Sequence, residues 1–193
     1  MSIANRAAQR ILSLVDALLD IAKMESGQMR LELTEIEPAE LLEQVSKDFL
    51  PQARAIGVVL QTNVGAHLPP IRADMGKIVR VLANLLDNAL KFTPTGGQVI
   101  ISAEQVSRQM LQIQVADNGP GIPAEYREKI FDRFSQVPGQ KGRQRGSGLG
   151  LTFCRLVVEA HGGNIWVEPN PAEGSIFAFT IPLRGPGTID TLG

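Results

Sequence analysis

The most regular hydrophobic pattern in the chain is helical and runs from Met75 to about Phe92. Ile78, Val81, Leu82, Leu85, Leu86, Ala89 and Phe92 recur at three- and four-residue steps and cover one side. At about 100° per residue, Arg80, Asn84, Asp87, Asn88 and Lys91 gather in a narrow polar stripe on the other. Asp74 is placed to cap this helix. A second helical pattern (Leu41, Leu42, Val45, Phe49) follows Pro38 and runs to about Ile56, with Pro51 a candidate kink or break. A third opens at Gly146-Ser147-Gly148-Leu149-Gly150-Leu151 and continues to about His161. The fourth spans Ile3 to about Ser26, where Ile11, Leu14, Leu18 and Ile21 form one row and Leu12, Val15, Leu19 and Ala22 another beside it. That stripe is wider than a two-stranded seam and suits a helical bundle, so the helix needs a covering partner, from this chain or another.

Alternation with period two predicts strands at Met29–Glu35, Val58–Val64, Gln98–Glu104, Met110–Ala116, Asn164–Glu168 and Ser175–Pro182, the third and fourth forming a hairpin. His67-Leu68-Pro69-Pro70 is expected to be a loop, Thr93–Gly97 a turn, and Ala124–Phe131 a short helix. Ser135–Ser147 is polar and without periodicity, as expected of a mobile loop, and the chain from Arg184 reads as a frayed tail. The elements imply three parts: 1–27, a lone helix; 28–183, an α/β domain; and 184–193, a tail.

Composition narrows the classes. The 193 residues are 44% hydrophobic, enough for one good-sized domain and an appendage. A net charge of −1 and 5% aromatic content argue against nucleic-acid partners. The single cysteine, Cys154, excludes a disulfide framework and a thiolate metal cluster, and its apolar neighbours mark it as a small buried residue. No run approaches the roughly 20 apolar residues that cross a bilayer, so the expected compartment is cytoplasmic, with any membrane anchor outside this sequence.

The candidate chemistry centres on Asp117-Asn118-Gly119-Pro120-Gly121-Ile122-Pro123, an acid delivered by a strand into a turn of two glycines and two prolines. Asp117 is suited to accept a hydrogen bond from an exocyclic amine such as that of adenine. Asn84 and Asn88 offer neutral oxygens suited to Mg²⁺, and Lys91 a point charge for phosphate. Gly146-x-Gly148-x-Gly150 is neither a dinucleotide fingerprint nor a P-loop. A glycine-led helix start preceded by Lys141, Arg143 and Arg145 still suits a polyphosphate. Together these groups predict a Mg–ATP site.

The same residues carry a family resemblance. Asn84-Leu-Leu-Asp-Asn88-Ala-Leu-Lys91-Phe-Thr-Pro resembles the N box of sensor histidine kinases. Asp117 to Pro123 resembles their G1 box, Ile130-Phe-Asp-Arg-Phe134 their F box, Gly146 to Leu151 their G2 box, and Gly174 to Pro182 their final strand. The resemblance implies the two-layer α/β sandwich of the GHKL ATPases, a mixed sheet packed on helices, preceded by one long N-terminal helix. It implies Asn84 and Asn88 at Mg²⁺ and Lys91 at the phosphates, with Asn88 and Lys91 as the catalytic residues. Asp117 would meet the adenine amine within the turn of Gly119 and Gly121, Phe92, Ile122 and Leu149 would wall the base, and Thr180 would lie near it through water. Arg143, Arg145, Gly146, Gly148 and Gly150 would line the phosphate side. The implied partners are a phosphoacceptor helix of a dimerisation domain, a response-regulator receiver domain, and a second copy in the intact kinase. The family's phosphoacceptor histidine has no counterpart, because residues 3–26 resemble the second bundle helix, and Gln136 stands where many members carry arginine. His67 and His161 lie in contexts unlike an acceptor's. Competing readings are another GHKL ATPase with a serine acceptor, a chaperone or a mismatch-repair ATPase, and a non-catalytic dimerising scaffold.

Overall fold

Alternation builds the sheet. In β5 (Met110–Asp117) Leu111, Ile113, Val115 and Asp117 are buried while the residues between them are half-buried, and β4 (Gln98–Gln105) buries Val99, Ile101 and Ala103 in the same manner. These two strands pair antiparallel as a hairpin. β7 (Ser175–Pro182) joins β5 antiparallel, β6 (Ile165–Pro169) joins β7, and β2 (Val59–Val64) joins β4 in parallel, giving the order β2-β4-β5-β7-β6. A separate antiparallel pair is made by β1 (Thr34–Ile36) and β3 (Ile71–Ala73). The structure, a computed structural model, describes residues 15, 18–19, 21–22, 30–65, 67–138 and 148–186.

Helices α1 (Pro38–Ala55), α2 (Met75–Phe92) and α3 (Gly150–Ala160) cover one face of the five-stranded sheet. Their apolar sides meet it through Leu42, Val45, Ile78, Leu82, Leu85, Leu86, Phe153 and Val157, with Phe177, Phe179 and Ile181 opposite. Each such side chain, fully buried, contributes about 1.5–3 kcal/mol relative to exposure, which is what holds the layers together. The result is the expected mixed sheet packed on helices.

Local departures have identifiable causes. Pro51 lies inside α1 without ending it, because it is exposed and the residues around it still bury Val45 and Ala53. The strand expected at Met29–Glu35 is confined to Thr34–Ile36, and its partner β3 lies where the sequence showed only the approach to Asp74. Ala124–Phe131 forms two 3₁₀ turns, Ala124–Tyr126 and Lys129–Phe131, since Ile130 and Phe131 are buried with Tyr126 half-buried against the core, and so short a segment gains little from α-helical bonds. Beyond Arg184 the chain is still packed at Gly185, close to the Arg72 carbonyl. Within the expected N-terminal helix Val15, Leu18, Leu19, Ile21 and Ala22 are helical; Ile21 is buried and Val15, Leu18 and Leu19 are exposed. The rest of that helix, and most of the loop expected at Ser135–Ser147, lie outside the described residues. Among the described residues no helix is long and apolar enough to cross a membrane.

Asp74 caps α2 as expected: its Oδ1 accepts from the Lys77 amide at 3.1 Å and its Oδ2 from the Glu32 amide at 3.0 Å and from Lys77 Nζ. Burial opposes its charge, but these bonds outweigh burial and hold the carboxyl below the ordinary range. Its stabilisation is therefore complete above the unfolded-state value of 3.8 and is lost as pH falls through the lower folded value. Asp74→Ala is expected to cost about 2–3 kcal/mol in urea unfolding at pH 7, with the difference from wild type shrinking toward pH 3. A loss under about 0.5 kcal/mol, or one independent of pH, would contradict this assignment.

Candidate nucleotide site

β5 ends at Asp117, whose side chain shares the parity of Leu111, Ile113 and Val115 and therefore points into the helix layer, 5% exposed. Its carboxylate is held by backbone: Gly119 N–H donates to Oδ1 at 2.8 Å, and the Ser175 amide donates from the start of β7. Burial pushes this carboxyl above its usual range, and the two amides oppose the rise. The turn is packed to the limit of glycine. A Cβ at Gly119 would stand 2.9 Å from Asp117 Oδ1 and 3.1 Å from the Phe92 carbonyl, and one at Gly174 (φ +95°) would stand 2.1 Å from the Asp117 carbonyl. Gly121 has φ +72° against the Gly174 carbonyl. Asn118 Oδ1 accepts from the Gln98 amide at 2.7 Å and Asn170 Nδ2 donates to the Asp117 carbonyl at 2.9 Å, so the turn is tied to β4 and to the β6–β7 connection.

The contact between Gly119 and Phe92 sets this turn beside the C-terminal end of α2. Asn84, Asn88, Lys91 and Phe92 are all half-buried along that helix. Lys91 Nζ stands 4.7 Å over the Phe92 ring. At the other end of the stripe the Asn84 side chain lies against the first turn of α3, 3.1 Å from where a Gly150 Cβ would be. The N-cap of α3 is Leu149, which makes no side-chain capping bond and cannot accept one. Its first-turn amides and positive dipole end are thus suited to an anion. Gly148 has φ +73° because the chain crosses Phe134 there, and Phe134 N–H donates to the Gly148 carbonyl at 2.9 Å. The two ends of the 135–147 segment are thereby held together. Below them Arg155 donates to the Glu128 carbonyl at 2.9 Å and stands 4.9 Å over the Phe131 ring, fastening the Ile130–Phe134 stretch to α3.

The structure thus sets Asp117, Gly119 and Gly121 beside Phe92 at the C-terminal end of α2, sets Gly148, Leu149 and Gly150 at the start of α3 against Asn84, and carries Asn88 and Lys91 on the stretch of α2 between them. Ile122 is half-buried against the hydrophobic core and Leu149 is fully buried. Arg143, Arg145 and Gly146 lie outside the described residues, and Gln136 is exposed. Thr180 is not at the site. It faces Gln112 in the register, five positions along β7 from Ser175 or roughly 16 Å, and has the opposite parity to Phe179 and Ile181. Its Oγ1 accepts from the Asn164 amide at 3.1 Å. Ser175 is the hydroxyl residue beside Asp117, a position marked in the sequence by its step of two from Phe177 and Phe179 and by Gly174 before it. Asn118 and Asn170 were not foreseen, since each acts through a backbone partner distant in sequence. Cys154 is buried as expected, and burial pushes its thiol up to about 12.

Residues 73–185 match the family described as histidine kinase-, DNA gyrase B-, and HSP90-like ATPase. The chain is 35% identical over 180 residues to the adaptive-response sensory kinase SasA of Synechococcus sp. (strain JA-3-3Ab), covering 93% of this chain and 48% of that protein. It spans about half the length, or less, of the curated relatives it matches. Full-length ShkA in complex with AMPPNP superposes with a TM-score of 0.84 at 31% identity, over 93% of this chain and 37% of that one. The catalytic domain of histidine kinase ThkA superposes at 0.70 with 34% identity, over 79% of this chain and 97% of that domain. ThkA has also been solved in complex with the response regulator protein TrrA, in a structure matching 94% of this chain and 52% of that one at 29% identity, TM-score 0.70.

Gly174→Ala is expected to destabilise the domain by about 1–3 kcal/mol more than Gly96→Ala, which shares a positive φ but has nothing within 4 Å. Urea midpoints of the two variants decide it: equal losses would mean that the approach of Gly174 to Asp117 carries no constraint.

Proposed function

The chain belongs to the family of histidine kinase-, DNA gyrase B- and HSP90-like ATPases, and from that premise we propose that it is the catalytic ATP-binding unit of a two-component sensor histidine kinase. The observation that carries the reading is the pairing of a buried, amide-held Asp117 with the glycine-flanked N-terminus of α3, whose N-cap residue Leu149 has no polar side chain, at opposite ends of one asparagine-bearing helix face. A base acceptor and an anion donor set so apart fit the two ends of an adenine nucleotide.

In this reading Asp117 accepts a hydrogen bond from the adenine amine, its lone pairs aimed by Gly119 and Ser175. Phe92, Ile122 and Leu149 enclose the base, and Gly119 and Gly121 let the backbone come close to it. The α3 amides at Gly148–Gly150 hold phosphate oxygens, with Lys91 adding a charge. Arg143, Arg145 and Gly146 are assigned to the phosphate side from the sequence. Asn84 and Asn88 present neutral amide oxygens, a donor set fitted to Mg²⁺, which would neutralise charge on the triphosphate. The γ-phosphoryl passes in line to a histidine imidazole: a P–N bond forms as the bond to the β-phosphate oxygen breaks, and ADP leaves. The phosphoryl is then relayed to an aspartate of a response regulator. We assign residues 1–27 to the second helix of a dimerisation element, 28–183 to the catalytic domain and 184–193 to a tail. The partners are a phosphoacceptor helix, a receiver domain and a second copy of the kinase, in the cytoplasm. Neither histidine here suits the acceptor role, since His161 is buried with both ring nitrogens engaged and His67 is in an exposed turn.

Calorimetry should find Mg–ATP bound, GTP bound about ten- to a hundredfold more weakly, and ATP affinity lowered by a similar factor in Asp117→Ala, from the loss of a charge-assisted bond of about 1.5–3 kcal/mol. Equal affinities for ATP and GTP would refute the adenine assignment. With γ-labelled ATP, the chain alone should take up no acid-labile label, and a separate fragment carrying a phosphoacceptor helix should become labelled. Label on this chain that disappears in His67→Ala or His161→Ala would show that the acceptor lies here.

A further inference from the structure

His161 is completely buried, forms the C-cap of α3, and touches none of the groups assigned to the nucleotide. Its Nε2 accepts from the Asp74 amide at 3.0 Å, the residue that caps α2. Because Nε2 must be an acceptor, the ring proton sits on Nδ1, which donates to the Val157 carbonyl at 2.8 Å. The end of α3 is itself fixed on the sheet. Gly162 has φ +80°, Gly163 N–H donates to the Val158 carbonyl at 3.0 Å, and a Cβ on Gly163 would stand 1.8 Å from the Thr180 carbonyl.

Helices α2 and α3 run antiparallel, and both ends of α3 meet α2: His161 bonds to Asp74 at the N-cap of α2, and Gly150 lies against Asn84 midway along it. From Asp74 to Asn84 is about 15 Å along α2, and from His161 to Gly150 about 16 Å along α3, at about 1.5 Å per residue. A helix is stiff along its axis, so a slip at the histidine end appears at the glycine end, between the phosphate-facing amides and the asparagines. We propose that His161 is a positioning residue for the phosphate half of the nucleotide site: its unprotonated Nε2 sets the register of α3 against α2, and protonation of the imidazole releases that register and weakens nucleotide binding.

Protonation would put an N–H where the Asp74 amide needs an acceptor, leaving two donors facing each other out of reach of water. The charged groups facing the ring are Asp74, which favours the cation, and Lys77, which opposes it; the segment at Glu32 contributes its backbone amide, to Asp74. Burial outweighs the Val157 carbonyl and Asp74, and holds the imidazole below its ordinary range.

The inference rests on the ATP reading, and the test separates the two. Mg–ATP affinity of the full chain is measured by calorimetry from pH 7.5 to 5.5, in wild type and in His161→Gln, whose amide oxygen replaces Nε2 as acceptor without titrating. Wild type is expected to lose about two- to fourfold relative to the variant across that window, because an imidazole held below its ordinary range is only part-protonated at its acid end, with the loss confined to the acid half of the window. Protonation of the nucleotide is common to both proteins and cancels, so parallel pH profiles would overturn the proposal. In wild type alone, imidazole ¹⁵N shifts should report the Nδ1–H tautomer and a His161 protonation midpoint that Mg–ATP moves downward and adenosine does not. A midpoint unmoved by Mg–ATP overturns the proposal even where the variant does not fold, and one moved equally by adenosine overturns its assignment to the phosphate half. No binding of Mg–ATP by wild type at pH 7.5 would instead remove the ATP reading itself.

Discussion

A carboxylate kept out of water without a counter-charge is the constraint on which the rest of this domain depends. In the proposed role Asp117 would serve an amine best when ionised, and burial works against that. The structure offers it backbone amides from Gly119 and Ser175, which stabilise charge without adding a side chain that would compete with a ligand. Supplying those amides requires β7 to begin beside the end of β5 and the following turn to fold back on itself. Both demands force glycine at 119 and 174. The strand order β4-β5-β7, with Asp117 at the end of its central member, follows from the same need.

What could be read in the sequence was whatever depends on near neighbours. The α2 stripe, the alternation of β4, β5 and β7, the Asp74 cap and the glycine-led start of α3 are local patterns, and all reappear in the structure. The misplacements share the opposite property. Thr180 was set beside the base although its parity sends it to the face away from the helices, where it holds the Asn164 amide. Ser175, Asn118 and Asn170 reach the site through partners on other strands, and β3 exists only because β1 pairs with it across 35 or more residues. At Pro51 the open choice between a kink and a break falls against the break, since the helix continues to Ala55 where tertiary burial on either side outweighs the local rule against proline.

On the proposed nucleotide reading, the site has two halves with different mechanical character. The adenine half consists of strand ends and a turn whose atoms are in backbone contact, so it has almost no freedom to adjust. The phosphate half is formed between two helices, α2 and α3, whose relative position depends on a few contacts at their ends and on side-chain packing such as Arg80 over Phe153 at 4.1 Å. Packed helices can slide by fractions of a turn at modest cost, whereas paired strands cannot shift without breaking register. On that reading a nucleotide would find a fixed seat for its base and an adjustable one for its phosphates. That division suits a reaction in which the base must be held throughout while the terminal phosphoryl group departs. It also places whatever tunes the domain on the helix pair, at residues such as His161 and Asp74 that lie far from the ligand but at the ends of the elements that hold it.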